Sequence, residues 1–218
     1  MRSYFIPRSQ ELLISLIRYF KIRGVFMKKI ITISRQFGAG GGTLGYKLAR
    51  ELNYECYDKE IILTAARNSN LDVKSFVEWD EKVPINFGFT QSLFDFYNKP
   101  LSEQIFNAQK EVIRKAAGKG SCVIIGRNAN SILKEYESCI NIFIYADFEW
   151  RLERMKAKMP KEPENKVIEH IKSVDKAREK YCTYHTKTVF GDAKYYDMCL
   201  STSKFGIDKC IEIIKSAL

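Results

Sequence analysis

Short apolar runs rich in β-branched residues alternate along the chain with stretches of helical periodicity. The first run is Ile30-Ile31-Thr32-Ile33, and a glycine-rich string, Gly38-Ala39-Gly40-Gly41-Gly42, follows it. Beyond the glycines, Leu44, Leu48, Ala49 and Leu52 recur at the spacing that puts them on one helical face. A short strand over 54–57 leads into a helix near 59–69, and another helix is predicted over 101–117. Cys122-Val123-Ile124-Ile125 and residues 140–145 read as buried strands. Residues 148–180 form a charged helical pattern broken around Pro160 and Pro163. A last strand near 198–200 and a helix over 206–217 end the series. Strands alternating with helices in this way predict an α/β fold, with helices on both faces of a parallel sheet. Residues 72–99 break the alternation. Glu78-Trp79-Asp80-Glu81, Pro84 and the aromatics Phe87, Phe89, Phe94, Phe96 and Tyr97 predict an irregular insert there.

The length of 218 residues suits one domain with a core large enough to need no staples. Six cysteines show neither a CxxC pair nor a metal-like cluster, which predicts free thiols in a reducing, cytoplasmic setting. His170 and His185 have no partners at metal spacing, so a metal would arrive as Mg²⁺ with a nucleotide. The net charge of +10 suits nucleic acid, an anionic membrane or a polyphosphate substrate. No basic–aromatic interleave supports nucleic acid, and none is expected as a partner.

Residues 1–26 hold five basic side chains against Glu11, with an apolar run over 12–17 that Arg18 and Lys21 interrupt. The run is too short to span a bilayer and lacks the parts of a signal peptide. Two readings remain for it: a basic amphipathic helix lying on a membrane, or an appendage ahead of a natural start at Met27. The second is preferred, because residues 28–34 already complete the first strand.

A strand, a glycine-rich turn and a helix form the arrangement that cradles phosphates. Glycines let backbone N–H groups converge on the oxygens, and the helix N-terminus adds positive partial charge. The string departs from the standard G-x-x-x-x-G-K-[ST] loop. Aligned on Gly40, the lysine position holds Gly41 and the leading glycine is Arg35. Arg35 is the nearest candidate to supply the missing charge. Gly126-Arg127-Asn128 follows a buried strand directly, at the sheet edge where α/β folds bind ligands. Arg151 and Arg154 share one face of a charged helix, as a lid over reacting phosphates would require. Asp175 and Arg178, with Lys172 a turn earlier, read either as a surface ion pair or as part of an acceptor clamp.

Together these residues resemble the cytidylate kinase-like family of P-loop proteins. The resemblance begins at Ile31-Thr32-Ile33-Ser34-Arg35-Gln36-Phe37-Gly38-Ala39-Gly40-Gly41 and takes in Tyr57-Asp58-Lys59-Glu60 and Gly126-Arg127-Asn128. It continues through Asp175-x-x-Arg178-x-x-Tyr181, Gly191-Asp192 and residues 200–206. It implies the nucleoside-monophosphate-kinase form of the P-loop NTPase fold, three layers around a five-stranded parallel sheet, with an acceptor insert near 70–100 and a lid near 148–165. It further implies ATP held by Gly38, Ala39, Gly40, Gly41, Gly42 and Thr43, with Mg²⁺. Asp58 would sit beside the acceptor or the metal, and Lys59 near the acceptor phosphate. Arg127, Asn128, Asp175 and Arg178 would clamp the acceptor, while Arg151 and Arg154 close over the transferring group. True cytidylate kinases keep the loop lysine and read Gly-Arg-Asp where this chain has Gly126-Arg127-Asn128. Two functions follow from these residues. One is a kinase moving the γ-phosphoryl of ATP to a nucleoside monophosphate or similar small acceptor, and the other is a nucleotide-binding sensor without turnover.

Overall fold

The computed structural model describes residues 29–67 and 99–218. The N-terminal segment over 1–26 and the aromatic-rich insert lie outside them.

Five strands form one parallel sheet in the order β2-β3-β1-β4-β5, with β1 Ile30–Arg35, β2 Glu55–Tyr57, β3 Cys122–Ile125, β4 Cys139–Tyr145 and β5 Met198–Ser201. The register pairs Ile33 with Ile125 on one side and Arg35 with Ile144 on the other, so β1 is the central strand and its carboxyl end projects beyond β3. The helices are α1 Gly41–Leu52, α2 Lys59–Arg67, α3 Lys99–Lys119, α4 Ala129–Ile132, α5 Phe148–Lys158, α6 Glu164–Thr186 and α7 Thr202–Ser216. These elements bear out the α/β expectation, including the break between α5 and α6 at the two prolines.

Both faces of the sheet are covered, which is why its strands are apolar throughout. Ile31, Ile33, Val123 and Ile125 pack beneath Leu44 and Leu48 of α1 and Ile211 and Ile214 of α7. Ile30, Cys122 and Ile124 meet Ile62, Ile113 and Ala117 on the opposite face. Burying a side chain of this size contributes about 1.5–3 kcal/mol. The polar Asn141 fits within β4 because its Oδ1 accepts from Thr32 Oγ1 at 2.7 Å and its N–H reaches Asp197 Oδ2 at 2.7 Å. A third apolar cluster, Met155, Val167 and Ile171 with Phe37 against it, joins α5 and α6 to the turn that follows β1. That contact brings the charged helices to the site. No helix among the described residues is long and apolar enough to cross a membrane.

At the end of α6, His185 stacks on Phe106 with ring centroids 4.1 Å apart and has Tyr181 at its edge. Burial, and then Lys187, push its pKa down to about 4. The unfolded chain binds a proton near pH 6.5 that the folded chain refuses until about pH 4. Stability is therefore full above pH 6.5 and falls as pH drops toward 4. His185→Phe should keep the stack and flatten this decline, and urea midpoints at pH 7, 5.5 and 4 for both proteins measure it. Parallel declines would show that His185 is not the titrating group.

Candidate active site

Two left-handed glycines shape the loop after β1, Gly38 at φ 80° and Gly40 at φ 83°. A Cβ on Gly38 would meet Arg151 Cβ at 3.1 Å, and one on Gly40 would meet Ile207 Cδ1 at 3.0 Å. Gly40 caps α1 without a side chain, and the first helical hydrogen bond runs from Leu44 N to Gly40 O at 2.9 Å. The amides of Gly41, Gly42 and Thr43 precede that bond and find no acceptor inside the helix. With no acidic residue in the first turn, the loop presents N–H groups and positive partial charge to an anion. Thr202 Oγ1 braces it from below by donating to Ala39 O at 2.7 Å.

Arg154 reaches this loop from α5, where its Nη2 donates to Thr43 Oγ1 at 2.9 Å. Arg151 takes a different place. It is 7% exposed, and its Nη1 donates to Phe37 O at 3.0 Å and to Asp175 Oδ2 at 2.5 Å. Asp175 Oδ1 accepts from Phe37 N at 2.7 Å. The pair thus grips both backbone polar groups of Phe37 and straps the two charged helices to the start of the loop. The hydrogen bonds of Asp175 run to Arg151 and to Phe37 at the start of the loop, and the same carboxylate acts on the charge of Arg178 one helical turn on.

Arg178 Nη1 donates to the carbonyl of Arg35 at 2.7 Å, and its guanidinium lies 5.6 Å from the Phe37 ring centre. Beyond it opens a cavity of about 40 Å³ lined by Arg35, Lys59, Arg127, Asn128, Arg178 and Tyr181, among others. That is room for roughly three waters, or for one phosphoryl group. Gly126, Arg127 and Asn128 are all left-handed, at φ 80°, 56° and 54°, which turns the chain sharply off β3 and sets Arg127 over the Tyr181 ring at 5.8 Å. Asn128 donates from Nδ2 to Tyr181 O at 3.5 Å. Asp58 caps α2 through Oδ1, which accepts from Glu60 N and Ile61 N at 3.0 Å each. Its Oδ2 accepts from the Tyr46 hydroxyl.

The cavity's cations repel one another. Burial, and then Arg127, push the Arg35 pKa down to about 10, with Asp58 opposing. Burial, and then Arg35, likewise lower Arg178. A buried cluster of like charge favours an anion in its midst. The structure therefore gathers Arg35, Lys59, Arg127, Asn128 and Arg178 around one cavity and Gly38 to Thr43 with Arg154 around the loop. Arg151 and Asp175 connect them. Phe37 and Tyr181 stood in the resembling motifs without a role assigned to them, and Tyr46 was not singled out. Nothing in the sequence marks the exposed Tyr46 as the partner of Asp58.

The sheet order, the glycine loop before α1 and the strapped charged helices define a P-loop kinase type of fold. Solved structures agree. An uncharacterized protein from Eubacterium ventriosum superposes with a TM-score of 0.68 at 26% identity, over 87% of this chain and 97% of the other. TT1252 from Thermus thermophilus gives 0.55 at 16%, over 87% and 97%. Shikimate kinase from Bacteroides thetaiotaomicron gives 0.50 at 12%, again over 87% and 97%. No curated protein matches the sequence at a significant level. The family model of the cytidylate kinase-like family matches residues 30–204, and the chain belongs to that family.

Proposed function

We propose that the protein transfers the γ-phosphoryl group of ATP to a small phosphorylated acceptor, a nucleoside monophosphate or a molecule of similar charge. The supporting observation is the cavity that Arg35, Lys59, Arg127 and Arg178 line beside the glycine loop. ATP fits the loop, where the glycines leave room for phosphate oxygens to approach the amides of Gly41, Gly42 and Thr43. Mg²⁺ takes oxygen ligands, and the Thr43 hydroxyl and Asp58 carboxylate would hold it beside the nucleotide's oxygens. They would do so by sharing or exchanging the bonds they now accept from Arg154 and from Tyr46, Glu60 and Ile61. Bound there, the metal would neutralise charge on the β- and γ-phosphates.

In this reading the acceptor places its anionic end among Arg127, Arg178 and Lys59. One of its oxygens attacks the γ-phosphorus, the bond to the β,γ-bridging oxygen breaks, and ADP leaves. Arg35 and Arg154 hold the transferring oxygens, and Asn128 shapes the acceptor side. Arg151 and Asp175 act indirectly, by fixing Phe37. The six free thiols fit a cytoplasmic setting.

Arg127 offers the clean test, since its guanidinium is not tied to the loop backbone as that of Arg178 is. Arg127→Ala should weaken the acceptor by about ten- to a hundredfold, the value of a charge-assisted contact. Affinity for Mg-ATP should hold, while Arg178→Ala disturbs both ligands because it also anchors Arg35 O. Calorimetric titration of each ligand, after an acceptor screen that follows ADP release, separates the two. Equal loss of both ligands in Arg127→Ala would put Arg127 on the wrong side of the site. The sensor reading draws on Gly41, the glycine in place of the loop lysine, and tight Mg-ATP binding without ADP release would favour it.

A further inference from the structure

We propose that Arg35 stands in for the lysine of the ordinary phosphate loop, delivering its cation from β1 through the space a side chain at position 41 would fill. This rests on the kinase reading and identifies how that site is charged. A Cβ built on Gly41 falls 2.6 Å from Arg35 Cβ and 2.9 Å from Arg35 Cγ. These atoms are the root of the side chain, close to the strand, and cannot swing aside. The far end is fitted in the same way. A Cβ on Gly126 would fall 1.9 Å from Arg35 Nη1 and 3.0 Å from Cζ. One arginine thus lies between two glycines, with its stem on Gly41 at the start of α1 and its guanidinium on Gly126 at the tip of β3.

The departures at the first and seventh positions of the standard loop are consequently a single change. Where that loop has a glycine at its first position and a lysine at its seventh, this chain has Arg35 and Gly41, so cation and glycine have traded places. The arginine requires the glycine, because an arginine at 35 leaves no space for any side chain at 41. The stem therefore passes the loop that would hold the triphosphate, and the guanidinium lies at Gly126, where Arg35 lines the cavity that would hold the acceptor. Arg178 holds the carbonyl of Arg35 and so fixes the backbone from which the side chain starts. Asp58 favours the charge from a distance, but no carboxylate of the described residues forms an ion pair with the guanidinium. A buried cation without a paired carboxylate calls for an anionic partner, and a polyphosphate supplies one.

Reversing the trade tests the inference. Arg35→Met keeps the stem and removes the charge, and its single-turnover transfer should fall about a hundredfold or more with an unchanged thermal midpoint. Gly41→Lys alone should lose both stability and nucleotide affinity, because the new side chain collides with Arg35. Arg35→Gly with Gly41→Lys clears the stem, including the Cβ that an alanine would leave, and returns the cation to α1. This double variant should recover at least about a tenth of the wild-type rate. Wild-type rates in Arg35→Met would overturn the inference, as would a folded double variant no faster than Arg35→Gly alone.

A failure of the kinase reading shows itself differently, as a wild type that transfers to no acceptor. The inference is then decided by affinity, since Arg35→Met must weaken Mg-ATP more than ADP. Equal affinities for ATP and ADP in both proteins would reject it. If the wild type binds no Mg-ATP, both readings fall together.

Discussion

Asp175→Ala is expected to lower the thermal midpoint by roughly 6–12 °C, with nucleotide affinity falling alongside. Its carboxylate pairs with Arg151 at 2.5 Å, where the two side chains are 17% and 9% exposed. Deleting one member of a buried pair leaves the other charge uncompensated, at about 3–5 kcal/mol. The low end suits this carboxylate, which keeps some contact with water, and about 3 kcal/mol in a chain of this length gives the stated shift. Phe37 N would also lose its acceptor, loosening the turn that leads into the glycine loop. Asp175→Asn should recover part of the loss, since an amide oxygen can still accept from Phe37 N while its NH₂ confronts Arg151. Replacing both members with apolar residues, Asp175→Leu with Arg151→Met, should be milder than Asp175→Ala alone. Differential scanning calorimetry of the four proteins measures this. A midpoint unchanged in Asp175→Ala, with only acceptor affinity reduced, would return Asp175 to the acceptor clamp that its sequence context suggested.

That contrast shows where the sequence was informative. Strands and helix faces were legible, because burial on both faces of a sheet leaves apolar runs and one-sided helices leave a period. The broken helix pattern at Pro160 and Pro163 became the junction of α5 and α6, since neither proline continues a helix. Gly206, at φ 73° and ψ 164°, interrupts the first turn of α7, and the regular helix beyond it is the one the periodicity located. The partner of Asp175 was not legible. Its neighbour at i+3 is Arg178, yet the carboxylate pairs with Arg151, 24 residues earlier, through the packing of α5 on α6. Nor do residue types announce that Arg127 and Asn128 are left-handed, which is what aims Arg127 into the cavity. Arg35 was visible as a candidate from its position at the end of β1. Its route was not, because only the closeness of its stem to Gly41 shows that one side chain excludes the other.

Gly40→Val should abolish detectable nucleotide binding in a protein that still folds. Gly40 holds φ at 83°, a conformation that glycine adopts freely and a β-branched residue resists, at about 1–3 kcal/mol. A Cβ there also meets Ile207 Cδ1 at 3.0 Å and Cγ1 at 3.3 Å, tight enough that the side chain on α7 must shift. Of the loop, Ala39 is buried in the core beneath, while the strands and the other core side chains lie outside it, so relief comes chiefly from moving the loop. Moving the loop re-aims the amides of Gly41, Gly42 and Thr43, which must converge on one phosphate to be useful. Gly42→Ala is the matched control. A Cβ at Gly42 has nothing within 4 Å, and alanine inside a helix is favoured over glycine by about 1 kcal/mol. Its midpoint should hold or rise slightly, whereas that of Gly40→Val drops by a few degrees. Calorimetric titration with Mg-ATP then compares loops that differ by one added side chain at positions two residues apart. Wild-type ATP affinity in a folded Gly40→Val variant would mean that the triphosphate is held elsewhere than at this loop.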